Sequence, residues 1–331
     1  MPRRLYSLDF LKVVAVLMIT NSHFQPLYKD ISPSLATFGV HGNALFFFVS
    51  GYLLMMGFMR KKGLGFIDWY KKRMRRLWPS AFIWAIVVAA ICNVKLTVGK
   101  LVYFEGYWFL QAIAICYIVY YLIGKYESSI GGGKVKPLKF VFVLSFVLSV
   151  FYFFLMPKTN GSPFHTNLHF ICHFSIMVMG GICYLTRDKI CCNKLWRDLL
   201  WMLFSFVLYF LILKMGKGRN GVFYYLQIIA LIPLHTFVYY LFKVSSYPWC
   251  NHCFHKKLLG RALSVIAALT LEIYIVQFTF ITDSLNNLFP LNVVIVFSII
   301  SIVAYALKVL TSLFLAVMST EHLVWRDIVK V

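Results

Sequence analysis

The chain has 331 residues, of which 61% are hydrophobic and 13% charged, with a mean hydropathy of +0.77. That balance excludes a soluble domain, and apolar runs of about 18 residues or more recur from end to end, as in a polytopic helical membrane protein. The net charge of +22 does not point to nucleic acid, because the basic residues lie in short loops between the apolar runs, where the positive-inside rule places them.

The expected fold is all-α, with about ten spans near 8–27, 36–58, 79–94, 104–123, 138–156, 167–186, 198–213, 221–242, 260–282 and 291–318. With the N-terminus inside, inner segments hold 24 of the 33 Lys and Arg residues and outer segments 7, with Lys12 and Lys308 inside spans. Both termini are therefore expected in the cytoplasm. The whole of 1–331 reads as a single integral-membrane domain. Its first apolar run reads as a retained span, since it keeps Asp9 and Lys12 and lacks a small-residue cleavage site. The eight cysteines are scattered and do not form the framework of a secreted disulfide protein.

The first span carries Asp9, Lys12 and His23. Lys12 and His23 are eleven positions apart, about three helical turns and roughly 16 Å of rise, so they share one stripe. Asp9 precedes Lys12 by three residues and can pair with it. Ionisable groups in a membrane have a partner or a task. A buried ion pair that only fixes helix packing is the alternative to a functional stripe. The second span holds His41 in its outer half and then reads Phe46-Phe47-Phe48-Val49-Ser50-Gly51-Tyr52. Small Ser50 and Gly51 are expected to let another helix approach closely.

The segment 60–79 is the most charged. Phe66, Trp69, Tyr70, Met74 and Leu77 recur at helical spacing, with Lys71, Lys72, Arg73, Arg75 and Arg76 between them. An amphipathic interfacial helix ending at Pro79 is expected on the cytoplasmic side. It can attract anionic headgroups or clamp a phosphorylated cytosolic ligand. The fourth span opens on Glu105-Gly106-Tyr107-Trp108. An aromatic belt explains Tyr107 and Trp108, whereas Glu105 is one of few outer carboxylates.

His165, His169 and His173 recur at steps of four at the outer start of the sixth span. They are without an acidic or cysteine partner in sequence, so helix packing or an acceptor-facing polar stripe is preferred to a metal site. Cys250-Asn251-His252-Cys253 has no second CxxC, and free cytosolic thiols are expected there. Glu272 falls mid-membrane in the ninth span, where Lys308 or Lys12 can neutralise it.

These residues together resemble the integral-membrane acyltransferase 3 family, which includes O-acetyltransferases of bacterial surface polysaccharides. Leu8-Asp9-Phe10-Leu11-Lys12 followed by His23 is similar to the family's opening Leu-Asp-x-Leu-Arg and His, with Lys12 for Arg. Phe47-Phe48-Val49-Ser50-Gly51 is similar to its Phe-Phe-x-x-Ser-Gly, and Arg73-x-x-Arg76-x-x-Pro79 to its Arg-x-x-Arg-x-x-Pro. Trp108-Phe109-Leu110 and Leu271-Glu272-Ile273-Tyr274 echo later positions, while Gln277 stands where many members have His.

The resemblance implies acetyl-CoA, or another acyl-CoA, as cytosolic donor and a carbohydrate hydroxyl as outer acceptor. It also implies residence in a bacterial inner membrane. Arg73, Arg76, Arg75, Lys72 and Lys71 would bind the donor. His23 would act as general base, with Lys12 and Asp9 holding the stripe, and an acetyl-His23 intermediate is a variant of that scheme. Asn21 and Ser22 are candidate oxyanion donors by proximity. Glu105, His41, His165 and His169 would line the acceptor pocket. No metal is expected, and the oligomeric state, homodimer included, is left open. A glycan or lipid transporter and a non-enzymatic assembly subunit are the rival classes.

Overall fold

The computed structural model describes residues 4–61, 63–129, 135–155, 168–190, 192–217 and 221–318. These residues are helical, with no strand among them. In chain order the helices are α1 (Tyr6–His23), α2 (Gly39–Arg60), α3 (Phe66–Cys92), α4 (Val98–Val102), α5 (Trp108–Ser129), α6 (Val135–Leu155) and α7 (Leu168–Leu185). Then follow α8 (Leu195–Gly216), α9 (Val222–Tyr225), α10 (Leu231–Ser245), α11 (Pro248–His255), α12 (Lys257–Ala268), α13 (Thr270–Phe280) and α14 (Leu291–Met318).

Among the described residues, seven segments are long and apolar enough to cross a membrane, or eight if α12 and α13, bent by 79° at their junction, form one broken span. This is the pattern of a multi-pass membrane protein. The expected count of ten is not confirmed among the described residues. The first helix has only 18 residues, and Asp9, Lys12 and its polar end at Asn21–His23 dilute its apolar character.

The sharpest departure from the sequence reading is α3. It does not stop at Pro79 but continues as one helix of 27 residues to Cys92. Trp69, Leu77, Ser80 and Trp84 recur at helical spacing and are all buried, so one stripe runs through both halves. Pro79 deprives the Arg75 carbonyl of its helical hydrogen bond.

Packing groups the chain into two units interleaved in sequence. One comprises Met1–Leu11, Asn43–Leu64 and Cys116–Cys253. Here α6 packs on α7 and α8 on α10. A Cβ at Gly51 of α2 would overlap the Met177 carbonyl oxygen of α7, and one at Gly180 of α7 would overlap the Phe48 carbonyl oxygen. Tyr120 donates to the Gly51 carbonyl at 2.8 Å. The expected close approach at Ser50-Gly51 is therefore a reciprocal glycine contact between two backbones. Buried Asp198 accepts from Lys243 at 2.9 Å and from Tyr247 at 2.8 Å.

The other unit comprises Lys12–Gly42, Gly65–Ile115 and Phe254–Val331. In it α3, α13 and α14 pack together. Between them lies a buried polar group: Glu272 accepts from Lys308 at 3.1 Å and from Ser80 at 3.2 Å, and Ser80 lies 3.3 Å from Thr311. Of the two lysines that the sequence offers to Glu272, Lys308 takes the position.

Candidate active site

His23 is the last residue of α1, and the chain beyond it is tied down on several sides. Asn21 donates both amide hydrogens, to the Leu35 carbonyl at 2.8 Å and the Thr37 carbonyl at 3.2 Å, and accepts from Tyr28 at 2.7 Å. Asn286 donates to the Pro26 carbonyl at 3.0 Å, and Asn292 to the Leu27 carbonyl at 3.1 Å. A Cβ at Gly42 of α2 would overlap the Ala15 carbonyl and the Ile19 side chain of α1. These contacts fix the end of α1. They also remove Asn21 as an oxyanion donor, since its amide hydrogens are committed. Ser22 donates to the Ile19 carbonyl at 2.7 Å within its own helix.

The His23 ring packs against Phe278 of α13, with centroids 4.6 Å apart and planes at 66°. Phe278 also walls a cavity of about 250 Å³ whose lining includes Trp84, Val88, Lys95, Lys100, Glu105 and Tyr107. One aromatic ring thus touches both the imidazole and the cavity. The cavity sits at the C-terminal end of α3 and is closed by the segment leading into α5. That segment turns through left-handed residues, Asn93 (φ 53°), Phe104 (φ 54°) and Gly106 (φ 89°). Such conformations in non-glycine residues persist only where the surroundings impose them, and they gather at functional sites.

The polar groups of the cavity are individually positioned. Thr97 caps α4, taking the Lys100 N–H at 3.2 Å, and donates its hydroxyl to Glu105 at 2.7 Å. A Cβ at Gly99 would overlap that carboxylate where it now lies, and the Glu105 side chain would have to shift. Tyr107 donates to the Ile275 carbonyl at 3.1 Å, and burial pushes its phenol up to about 12. It therefore stays a protonated donor at physiological pH. An aromatic belt alone does not describe Tyr107, because its ring lines the cavity.

The basic residues of α3 divide in two. Lys71, Lys72, Arg75 and Arg76 are exposed, whereas Arg73 is half-buried with its guanidinium 5.4 Å from the Trp69 ring. Arg76 precedes Val88 of the cavity by twelve residues, about 18 Å along the helix. The basic patch and the cavity thus occupy opposite ends of α3. Lys12 and His23 lie on the one continuous helix α1. Asp9 is bonded to Arg4 at 2.6 Å, a partner the sequence reading did not name.

Of the expected acceptor residues, the cavity includes Glu105. His41 is not among its lining residues and is fully buried near the start of α2. His165 lies outside the described residues, and His169 opens α7 with its side chain likewise outside them. His173 is buried with its ring 5.1 Å from that of Phe47, a packing role.

Lys95, Lys100, Trp84 and Phe278 are cavity residues that the sequence reading passed over. Their signal was faint: two lysines among few outer cations, and two aromatics in apolar runs. Gln277 is also new in kind. It is fully buried, and neither its amide nitrogen nor its oxygen has a hydrogen-bond partner among the described residues. A buried amide without partners is rare and calls for an explanation.

The family model described as "Acyltransferase domain", of the acyltransferase 3 type, matches residues 5–319, nearly the whole chain. The chain belongs to the acyltransferase 3 family. No curated protein and no solved structure matches it. For this acyltransferase the match spans α1, the basic half of α3, the cavity and α13 alike.

Proposed function

We propose that this acyltransferase moves an acetyl or other short acyl group from cytosolic acyl-CoA to a hydroxyl of a cell-surface glycan, or its lipid-linked precursor, at the outer side of the plasma membrane. The observation that carries the reading is Phe278, which backs His23 and walls the cavity that holds Glu105. His23 is not among the cavity's lining residues, so the acceptor hydroxyl has to reach past Phe278 to meet the base.

The exposed Lys71, Lys72, Arg75 and Arg76, with Arg73, supply positive charge for the CoA phosphates, arginine gripping them bidentately. Lys12 and Asp9 hold the α1 stripe along which the thioester approaches. His23, with an ordinary pKa of about 6.5, is largely neutral near pH 7 and takes the proton of the acceptor hydroxyl. The hydroxyl oxygen attacks the thioester carbonyl. The tetrahedral intermediate then expels CoA thiolate, which takes the proton back from the His23 imidazolium. The Gln277 amide is our candidate oxyanion donor, because it is buried and unused. Glu105 accepts hydrogen bonds from acceptor hydroxyls.

The test is CoA thiol release by purified protein in liposomes with acetyl-CoA and an oligosaccharide panel. Wild-type release that is lost in His23→Ala and shows a raised donor KM in Arg76→Ala supports the scheme. Absence of both CoA binding and turnover would shift the reading to a glycan or lipid transporter.

A further inference from the structure

The cavity at the end of α3 holds charges of both signs that do not pair with one another. Glu105 gives one carboxylate oxygen to Thr97, and no ion pair joins it to Lys95 or Lys100 among the described residues. Lys100 is half-buried and anchored through its ammonium to the Lys95 carbonyl at 2.9 Å. An ammonium has three donors, so two remain. The lining thus carries two positive charges and one negative, with Lys95 and Glu105 exposed and Lys100 half-buried.

The other walls combine aromatic rings with small aliphatic side chains. Trp84, Tyr107 and Phe278 present three ring systems. The buried Trp84 indole N–H has no hydrogen-bond partner among the described residues. Aromatic rings suit the C–H faces of a pyranose. At about 250 Å³ the cavity is smaller than the roughly 300–1,000 Å³ of pockets for drug-sized ligands. It has room for one sugar ring rather than a chain.

We infer that this cavity selects an anionic sugar, a residue bearing a carboxylate or phosphate, with Lys95 and Lys100 on the anionic group and Glu105 on ring hydroxyls. The inference rests on the reading of the cavity as the acceptor site. It adds to that reading a charge preference that Glu105 alone would oppose.

The experiment measures binding by calorimetry, without acetyl-CoA, to protein in phosphatidylcholine vesicles. The probes are an oligoglucuronate, its carboxyl-reduced neutral counterpart and a glucose phosphate. Both anionic probes are expected to bind at least tenfold more tightly than the neutral one. Lys100→Gln should remove most of that preference, Lys95→Gln part of it, and Lys100→Arg should retain it, which separates charge from misfolding. Equal binding of charged and neutral probes, or a preference that survives both Gln variants, overturns the inference. So does loss of the preference when phosphatidylglycerol is added, because the site would then be a headgroup site. CoA release assayed with the same probes separates the two claims. Lysine-dependent binding of the anionic sugar without release upholds the site and sinks the enzyme. Release to a neutral glycan with no charge preference does the reverse.

Discussion

The imidazole of His23 lies 4.6 Å, centroid to centroid, from the ring of Phe278, which meets it at 66°. Both groups sit on well-anchored chain: His23 at an α1 terminus pinned through Asn21 and the loop that follows it, Phe278 on α13, held through Glu272. The ring of Phe278 is 44% exposed, so it contributes little to the core. Phe278→Ala should leave the melting temperature nearly unchanged and lower kcat about tenfold, with a raised acceptor KM, because positioning is lost rather than chemistry. An unchanged kcat would remove Phe278 from the site.

His23→Ala should lower acyl transfer by about 10²–10⁴-fold, the range of a general base. Donor KM should stay near wild type, because the proposed scheme puts the phosphates at the far end of α3. Gel filtration and thermal unfolding in detergent would verify that the protein stays folded. A drop in donor binding equal to the drop in rate would instead place His23 in the donor site.

Arg76 is exposed, whereas Arg73 is half-buried above Trp69. Arg76→Ala should raise the acyl-CoA KM without changing stability. Arg73→Ala should do both, since it also loses a ring contact of about 0.5–1 kcal/mol. Donor titrations beside melting curves would resolve the two. If Arg76→Ala leaves KM unchanged, the exposed patch serves the lipid surface and not CoA.

Gly51 and Gly180 hold α2 and α7 at backbone contact. In Gly51→Ala the new methyl overlaps the Met177 carbonyl, and a carbonyl within a packed helix cannot turn aside. A loss of about 3 kcal/mol is expected, the upper end for overpacking. Ser50→Ala next to it should stay within about 0.5 kcal/mol. Thermal unfolding in detergent of the two variants side by side provides the test. Equal stabilities would mean that α2 and α7 can slide apart.

What the sequence conveys here is local and periodic. The helices, the close approach at Gly51 and a choice of two lysines for Glu272 can all be read from spacing and composition. The rest depends on packing between distant segments. Pro79 looks like a helix end, because a proline usually ends or kinks one, yet the buried stripe from Trp69 to Trp84 carries α3 through it. His41 looks like an outer polar residue, but α2 enters against α1 at Gly42 and buries it. Asn21 looks like a free donor until the loop at 35–37 folds back onto it. The cavity is the extreme case, since it joins residues near 84, 95–107 and 278 that no sequence motif links.

The buried pair of Glu272 and Lys308 provides the last prediction. Glu272 is 1% exposed and its partner 36%, so removing the lysine strands a carboxylate with only the Ser80 hydroxyl. Breaking a buried pair from one side costs about 3–5 kcal/mol, and the partial exposure of Lys308 puts the expected loss at the low end. Lys308→Met should therefore lower the melting temperature markedly, while the double variant Glu272→Leu with Lys308→Met should recover most of it, because no charge is left buried. If the double variant is stable and still transfers acyl groups, the pair serves folding alone. If it is stable and inactive while His23 and Arg76 are intact, the pair acts in the reaction through α13, the helix that carries Phe278 and Gln277.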